Sequence, residues 1–421
     1  MKIRWFFEKR GDDVMENRIA LINGKLITPF REISNGCVLL KDEQIEKIGK
    51  KAEIEIPEGT KIIDVKGMNV SPGFIDSHLH GAFGGSVMSG SEEDLQIMAQ
   101  GLVKCGITSF IPTTLSASWN DVIQSVNCIS RAMQKNFQGS KILGIHVEGP
   151  YVSLEQKGAQ NPEHIYSPKP EQYLPLLEKY PNIIRLTAAP EVQGGLELGQ
   201  ELRKRKIIAA IGHSNATYQQ VLKAVENGYT HVTHMFSGMS GIKRMKGYRI
   251  SGVVESTLLM NELTTELIAD GHHLPPSLMK LALHSKGLDK VCLVTDSMSA
   301  AGMGPGKYEL GGLEVIVEAD IPEEFEIPTQ ENNYVAKLTN RQSFASSVST
   351  MDRLVRNMVN FVDLNIRQAV QMATYNSAKI QGLEDQIGIL GENKKADIVV
   401  FDNNINIKMT IVDGKILYNV L

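Results

Sequence analysis

Cysteine is scarce in this chain of 421 residues, which holds four: Cys37, Cys105, Cys128 and Cys292. None forms a C-x-x-C pair and each sits in a hydrophobic segment, which excludes a disulfide framework and implies reduced, buried thiols in the cytoplasm. Charge of one sign is also missing. The formal net charge is -4, with no block of like charges, so the chain offers no electrostatic footprint for nucleic acid. No apolar run approaches the roughly 20 residues needed to cross a bilayer, and the Trp5-Phe6-Phe7 patch is too short for a signal peptide. No membrane partner is expected. Residues 1–14 read as an extension outside the fold, with Met15 as the natural start. A phosphate-binding loop is absent too: Gly302-Met-Gly-Pro-Gly-Lys307 lacks the Walker spacing and the following Ser or Thr, and reads instead as a flexible active-site loop. That absence counts against an open, doubly wound sheet.

Hydrophobic residues make up 42% of the chain, enough for one large core and a smaller satellite. Both ends are rich in strand and turn signals. Ile19 to Thr28 reads as a hairpin across Asn23-Gly24, a second hairpin follows over Gly36 to Ile48, and a third crosses Asp413-Gly414. Between the ends lie eight short apolar runs, at 69–80, 107–114, 141–149, 183–191, 207–214, 229–237, 265–273 and 290–297, separated by helical or polar segments. Ser91 to Cys105 illustrates the helices, with Ser91 as N-cap, acids in the first turn and Gly106 as the stop. Alternation of this kind means parallel strands with crossover helices, and eight units close into a barrel. The expected fold is therefore α/β: a (β/α)₈ TIM barrel over 69–392, with a small sheet domain from 15–68 and 393–421.

Barrel enzymes carry their chemistry at the C-terminal ends of the strands. Here those ends read Asp76-Ser-His78-Leu-His80, His146-Val-Glu148-Gly-Pro, Gly212-His213-Ser, Thr233-His234-Met and Val294-Thr-Asp296-Ser. Residues i and i+2 of a strand share a face, so His78 and His80 both aim at one rim. Imidazoles and a carboxylate suit a divalent metal, one ion or two; Zn²⁺ fits first, and Fe²⁺, Mn²⁺ or Co²⁺ accept the same donors. His146, His164, His231 and His284 read as structural, and His231, three residues before His234, is expected on the opposite face of its strand.

Pro72-Gly-Phe-Ile-Asp-Ser-His-Leu-His80 resembles the signature of the amidohydrolase superfamily. His146-Val-Glu-Gly-Pro150, Gly212-His-Ser214, Thr233-His-Met-Phe236, Asp270-Gly-His-His273, Val294-Thr-Asp-Ser-Met-Ser-Ala-Ala-Gly302 and Ser349-Thr-Met-Asp-Arg-Leu-Val-Arg-Asn357 are similar, in order, to the N-acetylglucosamine-6-phosphate deacetylases. The resemblance runs from about Ile19 to the end. It implies a β-sandwich from both termini, a cytosolic homodimer, and hydrolysis of an acetamide to an amine and acetate. It assigns the principal metal to Glu148, His213 and His234, and a second, bridged by Glu148, to His78 and His80. Asp296 becomes the general base, taking a proton from the hydrolytic water and passing it to the departing nitrogen.

Around the substrate the resemblance implicates Ala159, Gln160, Ser237, Gly238, Arg244, His273, Phe344, Ala345 and Ser346. Four places differ from the family. Gln160 stands where His is common, Ser237-Gly238 replaces Asn-Ala, Lys243-Arg-Met-Lys-Gly247 replaces His-Arg-x-Pro-Gly, and Phe344-Ala345-Ser346 replaces Leu-(Ala/Ser)-Gly. These departures leave other substrates open: the galactosamine epimer or an unphosphorylated N-acyl compound. A non-catalytic relative is the reading from another class, and the filled metal and proton-transfer positions count against it.

Overall fold

The computed structural model describes residues 18–135, 137–319 and 333–421; the extension at 1–14 and the start at Met15 lie outside the described residues. Each of the eight apolar runs coincides with a strand of a curled parallel sheet, the seventh strand starting one residue ahead of its run. The strands are Phe74–Leu79, Ile107–Pro112, Ile145–Glu148, Ile183–Ala188, Ile208–Ile211, Tyr229–Val232, Thr264–Leu267 and Val291–Leu293. Neighbours in this order pair in parallel, and a bridge from Thr113 to His146 joins the second to the third. The ends of the series meet as well. Asp296 N–H donates to His78 O at 2.9 Å and His80 N–H to Ser297 O at 2.8 Å. Almost all the strand residues are buried, as expected where helices cover one face and side chains fill the other.

The first crossover helix, Glu92–Leu102, shows why these segments fold as they do. Ser91 Oγ accepts the Asp94 N–H at 3.3 Å, three acids occupy the first turn where the helix dipole is positive, and Leu95, Met98, Ala99 and Leu102 face the core. A short 3₁₀ turn follows and stops at Gly106, whose φ of +77° suits glycine.

A second sheet draws strands from both ends of the chain. Its order is Lys415–Asn419, Ile407–Val412, Ile398–Phe401, Asn69–Pro72, Arg18–Ile27, Glu32–Lys41 and Gln44–Lys50, with Lys61–Asp64 also paired to Arg18–Ile27. The hairpins over 36–48 and across Asp413-Gly414 are present. Two expectations change here. Asn23-Gly24 is not a hairpin turn, because Arg18–Ile27 runs straight through it against Glu32–Lys41. Asn23, with φ +59°, marks instead where this strand changes parallel partner, from Lys61–Asp64 to Asn69–Pro72. The second change is the boundary at 68/69: Asn69–Pro72 pairs with Ile398–Phe401, so the curled sheet begins at Phe74.

After the eighth strand comes a three-stranded antiparallel sheet, Gly306–Leu310, Leu313–Glu318 and Val335–Leu338. The segment read as a flexible loop at 302–307 leads into it. Leu310, Val315 and Val317 pack with Leu115, Met298 and Ala345, which anchors this small sheet over the strand ends.

Candidate active site

Strand termination places the chemistry. The third strand ends at Glu148, and His80, His213, His234 and Asp296 each lie one to three residues past a strand end, where the chain is released from the ladder and can turn a side chain inward. His234 and Asp296 do so with φ of +26° and +47°.

The four histidines converge on one carboxylate. Glu148 Oε1 lies 3.2 Å from both His213 Nε2 and His234 Nε2. Oε2 lies 3.0 Å from His78 Nε2 and 3.2 Å from His80 Nε2. Asp296 Oδ1 completes the second group, 3.1 Å from His80 Nε2 and 3.5 Å from His78 Nε2. Each ring is held from behind through Nδ1: His78 by Glu266 Oε2 at 2.9 Å, His80 by Thr113 O at 3.1 Å, His213 by Gln156 O at 2.8 Å and His234 by Ser237 O at 3.2 Å. An acceptor behind Nδ1 keeps the proton there and leaves the Nε2 lone pair pointing at Glu148. Lone pairs facing carboxylate oxygens are stable only with a shared proton or a cation between them. Rings backed in this way are the usual arrangement of metal-binding histidines, so the donor set fits a divalent ion. Two groups, His78/Glu148/His234 and His78/His80/Asp296, bring their ligand atoms within 4.8 Å of one another.

Charge follows the same geometry. Burial would raise the Glu148 carboxyl, but the imidazoles of His78, His213 and His234 hold it well below the usual range. Burial likewise opposes Asp296, and His78 and His80 outweigh it, so Asp296 is ionised at neutral pH. His80 moves the other way: burial lowers it, and Asp296 with Glu148 raises it to about 9. Asp76, beneath the site, is pushed up to about 6 by burial. It accepts the Thr295 N–H at 3.2 Å and the Thr295 hydroxyl at 2.5 Å, which ties the first strand to the segment carrying Asp296.

A cavity of about 240 Å³ opens above the cluster, with His80, Glu148, His213, His234 and Asp296 in its floor. Of the residues expected near substrate, Ala159, Gln160, Ser237, Gly238, His273, Phe344 and Ser346 line it. Gln160 Oε1 accepts the Ser116 N–H at 2.6 Å, which fixes the amide group. His273 donates from Nδ1 to Asp270 Oδ2 at 2.8 Å; burial opposes its charge, yet Asp270 raises it above the ordinary value.

Two expected residues are elsewhere. Ala345 is fully buried in the apolar cluster under the small sheet, where its methyl packs and only its neighbours reach the cavity. Arg244 lies on the exposed hairpin of Lys243–Met245 and Tyr248–Ile250, outside the cavity lining. No Lys or Arg is among the described lining residues.

The expectation for His231 also changes. Its strand stops at Val232, so alternation does not carry to His234: the His231 ring lies 3.3 Å from Glu266 Oε1 through Nε2, and the His234 backbone N–H donates to Glu266 Oε2 at 3.2 Å while its ring faces Glu148. Glu266, paired with Arg185, escaped the sequence reading. The signal was available, since a lone acid in Thr-Thr-Glu-Leu and a lone base in Ile-Ile-Arg-Leu are charges inside strands that should be apolar.

Comparison with known proteins agrees with this geometry. Residues 69–417 match the amidohydrolase family. A Lysinibacillus sphaericus N-acetylglucosamine-6-phosphate deacetylase is 34% identical over 389 residues, covering 89% of this chain and 94% of the relative. An N-acetylgalactosamine-6-phosphate deacetylase of Escherichia coli O157:H7 is 30% identical, covering 82% and 86%. The crystal structure of N-acetylglucosamine-6-phosphate deacetylase from Pasteurella multocida superposes with a TM-score of 0.86 at 28% identity, over 96% of this chain and all of the other. The chain belongs to the amidohydrolase family, among its N-acetylglucosamine-6-phosphate deacetylases.

Proposed function

We propose that this protein is a metal-dependent carbon–nitrogen hydrolase that converts N-acetylglucosamine 6-phosphate to glucosamine 6-phosphate and acetate. The observation that carries the reading is the convergence of four imidazole Nε2 atoms on Glu148, with ionised Asp296 beside them on a cavity floor. Glu148, His213 and His234 would hold the principal ion, and His78 and His80 a second that shares Glu148. Zn²⁺ suits these donors best, with Fe²⁺, Mn²⁺ and Co²⁺ also compatible. Such an ion supplies Lewis acidity and lowers the pKa of water to about 7.

The protein's own groups do the rest. Asp296 accepts the proton of the attacking water and returns it to the departing nitrogen, so one carboxylate serves both transfers. Gln160, its Oε1 occupied by Ser116, directs its amide N–H toward the acyl oxygen as a neutral donor. His273 offers a cationic donor to the sugar's anionic end, a role the placement of Arg244 does not support for that residue.

Around this site we infer a (β/α)₈ barrel whose terminal sheet folds over as a β-sandwich, dividing the chain near residues 72 and 393. The protein is taken to be a cytoplasmic homodimer. Its four cysteines are free and buried, and no helix among the described residues is long and apolar enough to cross a membrane.

The galactosamine epimer is a second reading, favoured by the Escherichia coli relative. An unphosphorylated N-acyl substrate is a third, favoured by the absence of Lys and Arg from the described cavity lining. An acetate-release assay over both N-acetylhexosamines, each with and without the 6-phosphate, separates them. Highest kcat/KM on N-acetylglucosamine 6-phosphate is expected, and no acetate from any of the four would refute the reading.

A further inference from the structure

Behind the ligands, the curled sheet buries charge that packing does not require. Arg185 on the fourth strand and Glu266 on the seventh are both fully inaccessible, and they pair through Arg185 Nη1 and Glu266 Oε1. A buried ion pair contributes little net stability, because desolvation offsets most of its attraction. Its contacts suggest another purpose. Glu266 Oε2 lies 2.9 Å from His78 Nδ1 and accepts the backbone N–H of His234 at 3.2 Å. One oxygen thus holds a ring that faces Glu148 Oε2 and the backbone of a ring that faces Glu148 Oε1.

His78 also differs from the other three histidines. Their Nδ1 atoms meet backbone carbonyls of Thr113, Gln156 and Ser237, whereas His78 meets a carboxylate. A carboxylate behind the ring fixes the tautomer more firmly than a neutral carbonyl and raises the basicity of the opposite nitrogen. Glu266 is not itself placed to bind the ion. Its Oε2 lies on the Nδ1 side of His78, away from Glu148, and neither ligand group includes it.

We propose that Glu266, fixed by Arg185, is a positioning residue that holds His78 and His234 in ligand geometry on the two sides of Glu148, so that cation affinity depends on a side chain that touches no cation. The inference rests on the metal-dependent reading above. Arg185 acts at one remove: its guanidinium occupies Glu266 Oε1 and leaves Oε2 for the two histidines.

The test is calorimetric titration of Zn²⁺ into metal-free protein, for the wild type and for the double variant Arg185→Met/Glu266→Gln, which leaves no stranded buried charge. The variant is expected to bind Zn²⁺ about 10–100-fold more weakly, with the thermal midpoint of its metal-free form close to that of the wild type. Unchanged affinity in a folded variant would overturn the proposal. A wild type that binds no Zn²⁺ would instead overturn the metal-dependent reading, so the two failures are distinguishable. A measurement that needs no variant stands beside it: ¹⁵N NMR of metal-free wild type should show a proton on His78 Nδ1, facing Glu266, and an Nδ1 that carries none would refute the positioning role even if the double variant does not fold.

Discussion

Gly149 follows Glu148 directly and has φ of +68°, so Gly149→Ala perturbs the centre of the site without removing a ligand. A Cβ built there would stand 2.3 Å from Ser116 Oγ and 2.9 Å from Ser116 N. Rotation of the Ser116 side chain can relieve the first contact but not the second, which is backbone. The left-handed conformation costs an L-residue about 1–2 kcal/mol, and forcing atoms into a packed interior adds about 1–3 kcal/mol. Together these give about 2–5 kcal/mol of lost stability. The displaced Ser116 N–H is the one that anchors Gln160, and on the other side the strain passes to Glu148, whose carbonyl accepts the Thr114 hydroxyl at 3.2 Å. Misplacement of a reacting group by about 1 Å costs roughly 100-fold in rate. Denaturant unfolding of the metal-free variant should show the first loss, and kcat/KM for acetate release the second. Wild-type stability together with wild-type kcat/KM would refute the packing argument.

Asp296→Asn should keep the fold and bound metal but lower kcat by about 10²–10⁴-fold, since an amide cannot carry the proton; near-normal turnover would reject Asp296 as the base. His273→Gln removes one charge-assisted hydrogen bond, of about 1.5–3 kcal/mol. KM for the 6-phosphate should then rise roughly 10–100-fold while KM for the unphosphorylated sugar moves little, and equal changes for both would contradict the assignment. His272 is pushed down to about 4, first by burial and then by Arg353, whose Nη2 lies 3.2 Å from its Nε2, with Asp270 opposing. The unfolded chain therefore binds this proton first as pH falls from 6.5 towards 4, and stability drops across that window by up to about 3 kcal/mol. Acid unfolding of His272→Gln should be correspondingly shallower, and an identical pH dependence would refute the linkage.

The eight strands were legible because each is a short apolar run set between helical or polar segments, and five of the runs lead into residues too polar for a core, such as Glu148 or Asp296. Pattern failed where a strand served two neighbours. Asn23-Gly24 has the composition of a turn, but long-range pairing with Lys61–Asp64 and Asn69–Pro72 keeps the strand extended through it. Alternation failed at His234 for a related reason, since the strand had already ended and a positive φ redirected the side chain. Arg244 was placed by motif likeness, and a motif says nothing about where a hairpin projects. Glu266 and Arg185 lie within strands rather than at the ends that carry the chemistry, where only a partner across the interior explains a charge.

Metal content joined to anomalous diffraction is the most direct check on the convergent site. Crystals of protein purified without chelator should contain a divalent transition metal, with its anomalous peak in contact with Glu148, His213 and His234. Protein that carries no such ion even after incubation with Zn²⁺, or a peak bound away from Glu148, would contradict the assignment of these residues to hydrolysis.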